Sequence, residues 1–195
     1  MNSPVIESLR EAQSALAALL EDSACHTRIA EAGALLGATL AKDARVWSCG
    51  NGGSMCDAMH FAEELSGRYR KNRRPLAASA ISDPGYLTCT ANDFGYEEVF
   101  ARYLLAHGRA GDCLLAISTS GASPNVIAAA KAARDLGITC IGLTGRRESA
   151  LGREVDLEIC TPAGQFADRV QELHIKVIHI LIELVERRLF PENYA

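Results

Sequence analysis

Apolar residues recur every three or four positions in the first 40 residues of the chain, which predicts two amphipathic helices near 5–20 and 29–40. Beyond them, short runs of small and β-branched apolar residues alternate with helical patterns. Strands are predicted at 45–49, 76–81, 114–118, 139–144 and 156–160. Helices are predicted at 54–69, 94–106 and 124–136, and a long final helix at about 166–189.

Strands that alternate with helices are typical of a parallel sheet covered on both faces. We therefore predict an α/β fold, a three-layer α/β/α sandwich around a mostly five-stranded parallel sheet, with N-terminal helices and a long C-terminal helix. No repeat or linker divides the sequence, so 1–195 is expected to form a single domain with a helical extension over about 1–42. The final helix is apolar around most of its circumference, which predicts burial in an oligomer or, alternatively, a central place in the monomer.

Composition narrows the range of partners. The net charge is −4 and 48% of the residues are apolar, so nothing indicates a nucleic-acid partner. No run reaches the ~18 apolar residues of a membrane span, and the first residues lack a signal-peptide pattern. The seven cysteines form no CxxC pair, and four lie in or beside apolar stretches, where we expect free thiols: Cys49, Cys89, Cys113 and Cys140. We therefore expect a soluble protein of the reducing cytoplasm.

A hydroxyl-rich turn follows the predicted strand at 114–118 and precedes a helix. It reads Ser118-Thr119-Ser120-Gly121, and we expect Ser123 to be the helix N-cap and Pro124 the first helical residue. Hydroxyls and backbone N–H groups at a helix N-terminus bind phosphate readily. The turn therefore predicts a phosphate site, and the alternative is an ordinary capped turn without a ligand.

A glycine-rich run, Cys49-Gly50-Asn51-Gly52-Gly53-Ser54, joins the first predicted strand to a helix. Its glycines permit a close backbone approach to a ligand, and Ser54 can cap the helix. Met55 occupies the third glycine position of a dinucleotide fingerprint, and the Lys-Ser or Lys-Thr of a nucleotide P-loop is missing, so both classes are disfavoured. Both loops follow predicted strands, and ligands of such folds bind at the carboxyl ends of strands.

The helix after the glycine loop carries ionisable residues. His60 and Glu64 are four residues apart and share one face, a spacing that suits a metal pair or a carboxylate base beside a polar partner. The alternative is an ordinary surface pair, and Glu63 is expected to point elsewhere into solvent. A basic cluster follows, which predicts either a solvated loop or a clamp for an anionic small molecule: Arg68, Arg70, Lys71, Arg73 and Arg74.

The final helix places polar groups beside its apolar stripe. Asp168, Glu172 and His179 fall within one arc of about forty degrees, with Gln171 on its shoulder. Such groups cost free energy when buried unless they have partners. Together with His60 and Glu64, they favour a catalytic or metal role for His179. His174 lies on another face and is expected to pack in the core.

Several segments together resemble those of the bacterial phosphoheptose isomerases, a family of sugar-isomerase (SIS) domain proteins. The segments occur in the same order as in that family and extend over nearly the whole chain. They are 48–54, 57–65, 67–69, 92–95, 117–121 and 168–179. The resemblance implies a single SIS domain that interconverts D-sedoheptulose 7-phosphate and D-glycero-D-manno-heptose 7-phosphate for the heptoses of bacterial lipopolysaccharide and surface polysaccharide. It also implies a homotetramer whose sites are shared between subunits.

The resemblance also implies roles for individual residues. Glu64 would be the base and His179 the acid. One zinc ion per subunit would be held by His60, Glu64, Gln171 and His179. The sugar phosphate would be bound by Asn51, Gly52, Gly53, Ser54, Arg68, Asn92, Asp93, Ser118, Thr119, Ser120, Ser123, Asp168 and Gln171. A His179 held by zinc cannot also be a free acid, and the sequence leaves that choice open.

Two alternatives to this function are compatible with the loops. A non-catalytic SIS protein, either a phosphosugar sensor or a partner-binding tetramer of the replication-initiator-associating type, would keep both loops without needing an acid and a base. The presence of Glu64 and His179 favours the enzyme. An isomerase of an arabinose or hexose phosphate is disfavoured by the matched His60–Glu64 and Gln171–His179 segments, although substrate length is not written in the motifs.

Overall fold

The computed structural model describes residues 3–195. Its helices are α1 (Pro4–Glu21), α2 (Ser23–Ala41), α3 (Gly53–Ser66), α4 (Pro84–Phe94), α5 (Val99–His107), α6 (Pro124–Asp135) and α7 (Ala167–Leu189). Its strands are β1 (Val46–Gly50), β2 (Ala78–Ala80), β3 (Cys113–Ser118), β4 (Thr139–Thr144) and β5 (Leu157–Cys160). Short 3₁₀ segments occupy Tyr96–Glu98 and Pro191–Tyr194. Each of the five predicted strands is present, with its ends within two residues of the expected positions.

The five strands form one parallel sheet in the order β2-β1-β3-β4-β5. The chain passes from β1 to β2 on one side and then returns to β3 on the other side. The gap above β1 and β3 is therefore the switch point at which open α/β sheets bind ligands. This order is the flavodoxin-like one, and it confirms the predicted α/β class.

Hydrophobic cores lie on both faces of the sheet. Because side chains of a strand alternate between faces, Leu115 of β3 packs in the core formed with α2, α3 and α7, whereas Leu114 packs in the core formed with α4, α5 and α6. Phe61 of α3 and Phe100 of α5 are the largest fully buried side chains of these two cores. The three-layer α/β/α arrangement is thereby confirmed.

Helix α4 is the element that the sequence pattern did not reveal, because the next helix was expected to begin at Phe94, where α4 ends. Only Thr90 is buried along α4, so the apolar periodicity that marks a helix is weak there. Its start follows ordinary capping rules. Asp83 accepts a hydrogen bond from the Tyr86 N–H at 2.6 Å, and Pro84 is the first helical residue.

The final helix, α7, lies at the centre of the monomer, which is the second of the two positions predicted for it. Ile178, Leu181 and Ile182 are fully buried within the single chain, where α7 packs against α2 and α3. Its apolar character is thus explained by a central place in the monomer, and the expectation of burial in an oligomer is not needed for it. Exposed apolar residues lie on α1 instead: none of its described residues is buried, and Leu9 and Leu20 are 62% and 68% exposed.

The environment of the cysteines differs from the prediction at one position. Cys49, Cys113 and Cys140 are buried in β1, β3 and β4, as expected. Cys89 lies exposed on α4, because Tyr86, Leu87 and Ala91 are the α4 residues that pack against the core. Within residues 3–195, no helix combines the length and the apolar character that a membrane crossing requires.

Candidate active site

The glycine loop and the serine loop leave the sheet side by side. They follow β1 and β3, which are parallel neighbours with Gly50 opposite Ile117. Asn51 of the first loop and Asn125 at the start of α6 exchange two amide hydrogen bonds of 2.8 Å, each Nδ2 donating to the other Oδ1. The hydroxyl of Tyr96 donates a further bond to Asn51 Oδ1 at 2.9 Å. These contacts join the two loops into one surface.

Asn125 and Tyr96 are two residues of this surface that the sequence pattern did not mark. Asn125 directly follows Ser123-Pro124 and is buried in an otherwise alanine-rich helix. A polar residue among alanines is the one feature of the sequence that could have indicated its role. Nothing in the sequence distinguishes Tyr96. Its contact with Asn51 spans 45 residues and arises from tertiary structure alone.

The glycine loop brings α3 against α7. Helix α3 begins at Gly53 with Gly52 as its N-cap at φ +55°, so Ser54 lies in the first turn and is not the predicted cap. A Cβ atom at Gly53 would overlap the Nε2 atom of Gln171. Glycine therefore permits the Gln171 amide to reach this loop, and the structure brings two predicted site residues together.

The serine loop gathers three hydroxyls at the N-terminus of α6. Ser123 is the N-cap and Pro124 the first helical residue, as predicted, but the Ser123 hydroxyl lies 3.0 Å from Ser118 Oγ and does not cap the helix. Ser120 Oγ is 3.5 Å from Ser118 Oγ and accepts a hydrogen bond from the Ala122 N–H at 3.2 Å. Since the start of a helix carries partial positive charge, this cluster suits a phosphate group.

A cavity of about 210 Å³ opens beside the serine loop. Arg146, which the sequence pattern did not mark, brings a positive charge to its wall. The lining residues are Thr119, Ser120, Gly145, Arg146, Pro162, Ala163, Gly164, Gln165, Phe166, Ala167 and Val170. The loop itself depends on Gly121, which has φ +62° and whose Cβ would overlap the Ser149 side chain, so other residues would be strained there.

The ionisable residues of α3 and α7 meet as predicted. His60 Nε2 lies 2.9 Å from His179 Nε2, and Glu64 Oε1 lies 3.7 Å from His60 Nε2. The Glu64 side chain is only 20% exposed. Glu63 does not stand apart as expected, because its Oε1 is 2.9 Å from His60 Nδ1 although the side chain is 67% exposed. Glu63 thus orients the ring so that Nε2 faces His179.

The electrostatics of this cluster favour a neutral His179. Partial burial lowers the pKa of His179, and the neighbouring His60 lowers it further, while Glu64 acts in the opposite direction. A neutral imidazole can accept a proton or bind a metal ion through a ring nitrogen. The Tyr69 ring lies 5.9 Å from the His179 ring and covers one side of it.

The same residues fit a zinc ion by their donor chemistry. The ligating atoms of His60, Glu63 and Glu64 lie within 4.8 Å of one another, and His179 Nε2 adjoins this group. Imidazole nitrogen and carboxylate oxygen are ordinary zinc donors, and a carboxylate on the second ring nitrogen is a usual support for a metal-bound histidine. Gln171 precedes His179 by eight residues, about 12 Å along α7, and lies at the glycine loop.

The remaining predicted substrate residues are exposed at the ends of three helices. Arg68, after α3, donates a hydrogen bond to Asn72 Oδ1 at 3.2 Å. At the end of α4, Asn92 donates to Asp93 Oδ1 at 2.9 Å. Asp168, at the start of α7, is 59% exposed and has an oxygen 3.4 Å from Arg169 Nη2. Each of these side chains is exposed and contacts only residues close to it in sequence.

Comparisons with known proteins agree with this geometry. The family model described as SIS domain matches residues 9–145. The phosphoheptose isomerase of Klebsiella pneumoniae is 54% identical, over 93% of this chain and 94% of that protein. Phosphoheptose isomerase GmhA from Neisseria gonorrhoeae superposes with a TM-score of 0.80 at 38% identity, covering 93% and 94% of the two chains. A phosphoheptose isomerase from Francisella tularensis gives 0.87 at 30% identity, covering 95% and 100%.

Both the match to the domain model and the identity to these relatives extend over most of the chain. Fold, strand order and the two loops at the switch point are consistent with them. The chain belongs to the SIS domain family and, within it, to the phosphoheptose isomerases.

Proposed function

We propose that the chain interconverts D-sedoheptulose 7-phosphate and D-glycero-D-manno-heptose 7-phosphate, an aldose–ketose isomerisation in bacterial heptose biosynthesis. The observation that carries this proposal is the convergence of Glu64, His60 and His179 on one point between α3 and α7. A carboxylate and an imidazole at such a point are the groups that a proton-transfer reaction needs. The serine loop at the carboxyl end of β3 offers a site for the phosphate.

The reaction moves a carbonyl group between C2 and C1 of the sugar. In the ketose-to-aldose direction, a base removes a proton from C1, a cis-enediol forms between C1 and C2, and a proton is returned to C2. We propose that Glu64 removes the proton from C1 and returns one to C2. Its side chain is 20% exposed and lies beside His60. We propose that His179 accepts the proton that leaves the C1 hydroxyl and supplies the proton that the C2 oxygen gains. An imidazole can both accept and donate a proton near neutral pH.

Binding of the phosphate would orient the reacting end. Ser118, Thr119, Ser120 and Ser123 are proposed to hold it, and the sugar is proposed to contact Asn51, Gly52, Gly53, Ser54, Arg68, Asn92, Asp93, Asp168 and Gln171. The phosphate takes no part in the chemistry, so its binding energy serves to place C1 and C2 against the acid–base pair.

Zinc is proposed as a resident ion with His60, Glu64 and His179 as ligands. Gln171, the fourth proposed ligand, has its amide at the glycine loop and would have to turn toward His179 to complete the set. Bound there, it would supply Lewis-acid polarisation of the sugar oxygens. The contact between His60 and His179 supports a shared cation, since two ring nitrogens aim at each other over 2.9 Å. Because a ligand role and a free-acid role of His179 exclude each other, the activity of metal-stripped protein decides between them.

We also propose that residues 1–195 act as one SIS domain with a helical extension before residue 42, and that the protein forms a homotetramer in the cytoplasm. Support for assembly comes from α1, whose described residues leave Val5, Leu9 and Leu20 more than 60% exposed. Burial of such residues between subunits would be favourable, since each Å² of apolar surface removed from water contributes about 25 cal/mol.

The test of the proposed function is an NMR time course with purified protein of known metal content and sedoheptulose 7-phosphate. We expect manno-heptose 7-phosphate signals to appear, and solvent deuterium to enter at the carbon that receives the proton. Saturable binding without conversion, with and without added zinc, would contradict the isomerase and favour a phosphosugar sensor. Conversion of only an arabinose or hexose phosphate would replace the substrate but keep the chemistry.

The phosphate assignment makes a separate prediction for Ser120→Ala. We expect KM to rise by about tenfold or more, because a hydrogen bond to a charged group is worth about 1.5–3 kcal/mol. The kcat should stay within threefold, since the phosphate is bound equally in the ground and transition states. Steady-state kinetics check this, with the exposed hydroxyl variant Thr27→Ala as control. A loss confined to kcat would contradict the assignment.

A further inference from the structure

The basic cluster after α3 contains one arginine that is neither solvated nor free to bind an anion. The side chain of Arg73 is 1% exposed and that of Glu186 is 0% exposed, and Arg73 Nε lies 2.9 Å from Glu186 Oε1. The prediction of a solvated loop or an anion clamp is therefore wrong for this residue. Its charge is already neutralised by α7.

The rest of the Arg73 guanidinium holds the end of α3. Its Nη2 donates to the Glu64 carbonyl at 2.6 Å, and its Nη1 donates to the Gly67 carbonyl at 2.6 Å. Carbonyls at a helix C-terminus lack partners within the helix, so a planar fork of donors satisfies them well. The group that caps α3 thus binds the backbone of Glu64, the proposed base.

Glu186 attaches this cap to the helix that carries the acid. It follows His179 by seven residues, which is about two turns, so both side chains lie on the same face of α7. Its second oxygen accepts a hydrogen bond from the Tyr194 hydroxyl at 2.8 Å, so both carboxylate oxygens have partners. The resulting path runs from Glu64 through Arg73 and Glu186 to His179.

A buried ion pair of this kind is poor evidence for a stabilising role, because removing two charges from water offsets much of their attraction. The ion pair can, however, link two helices more rigidly and with more defined direction than apolar contacts can. We propose that Arg73 and Glu186 are positioning residues, which hold Glu64 and His60 at working distance from His179. This inference rests on the proposed function for its kinetic consequence, but its geometric consequence is independent of it.

The test removes the pair without leaving a buried charge. In the double variant Arg73→Met/Glu186→Met, we expect kcat to fall at least tenfold while KM stays within threefold and the protein remains folded by circular dichroism, with a lower melting temperature because the Glu64 and Gly67 carbonyls lose their donor. The matched control is Arg28→Met/Glu31→Met, an exposed pair on α2 whose side chains are 57% and 49% exposed, with kinetics expected to match the wild type. If the double variant does not fold, Arg73→Lys keeps the charge, loses the fork geometry and should also lower kcat.

A second readout does not depend on turnover. In metal-stripped protein at fixed pH, we expect the imidazole carbon–proton NMR signals of His60 and His179 to shift in the double variant, while those of His26 and His107 stay in place. Unchanged kcat together with unmoved His60 and His179 signals in a folded variant would overturn the positioning role. If the wild type shows no turnover, the proposed function fails and the NMR signals alone decide the inference.

Discussion

We expect Glu64→Gln to lower kcat for sedoheptulose 7-phosphate by about a thousandfold or more, while sugar-phosphate binding is retained. Glutamine keeps the shape of glutamate but cannot take a proton from carbon, and a positioned general base contributes about 10² to 10⁴-fold. The phosphate site lies on a different loop, so affinity should change little.

The expected result is measured by the NMR time course and by calorimetric titration of the substrate. Glu31→Gln, which removes a carboxylate that is 49% exposed on α2, serves as the control and should behave like the wild type. Glu63→Gln should reduce kcat far less, because Glu63 contacts the other nitrogen of His60. Turnover of Glu64→Gln within tenfold of the wild type would remove Glu64 from the role of base.

We expect His174 to lower the free energy of unfolding as pH drops from about 6.5 to about 4, while Asp57, whose pKa burial raises to about 6, acts in the opposite direction below about pH 6. His174 is fully buried, and neither ring nitrogen has a hydrogen-bond partner among residues 3–195. Burial lowers its pKa from 6.5 to about 4. The backbone of Thr144 acts in the opposite direction, but it is not placed to form a hydrogen bond with the ring.

The direction of this pH effect depends on whether the folded or the unfolded chain binds the proton more tightly. Below pH 6.5 the unfolded chain protonates His174, whereas the folded chain stays neutral until about pH 4. Protonation therefore favours unfolding across this window, by about 2 kcal/mol at pH 5 and by about 3 kcal/mol once both states are protonated. The loss shrinks above pH 6.5 and is negligible by about pH 7.5.

Urea unfolding at several pH values and one protein concentration measures this effect. In His174→Leu we expect the slope of stability against pH between 4 and 6.5 to differ from that of the wild type by these amounts, in favour of the folded state at low pH, because the titrating group and its unpaired nitrogens are gone. Leu173→Met on the same helix changes apolar packing without a titrating group and should keep the wild-type slope. An unchanged slope in His174→Leu would place the acid sensitivity elsewhere.

Local patterns were sufficient for most of the fold. Strands such as β3 are short apolar runs bounded by turn residues, and their ends can be read from the sequence alone. Helix α4 was not predicted because it buries only Thr90, so its sequence shows little of the apolar periodicity that marks a helix. Its start is stabilised by capping instead. The orientation of His60 and Glu64 on one face of α3 followed from helical spacing alone.

The fold class, the two candidate ligand loops and the pairing of His60 with Glu64 could all be predicted from the sequence, since each depends on neighbours within a few positions of the chain. Which distant residues meet at the site depends on how the strands and helices pack. Asn51 meets Asn125 across 74 residues because β1 and β3 are adjacent, and Arg73 meets Glu186 across 113 residues because α3 packs on α7. A basic cluster looks the same in sequence whether its charges face solvent or a buried carboxylate, and only the packing of two helices distinguishes them.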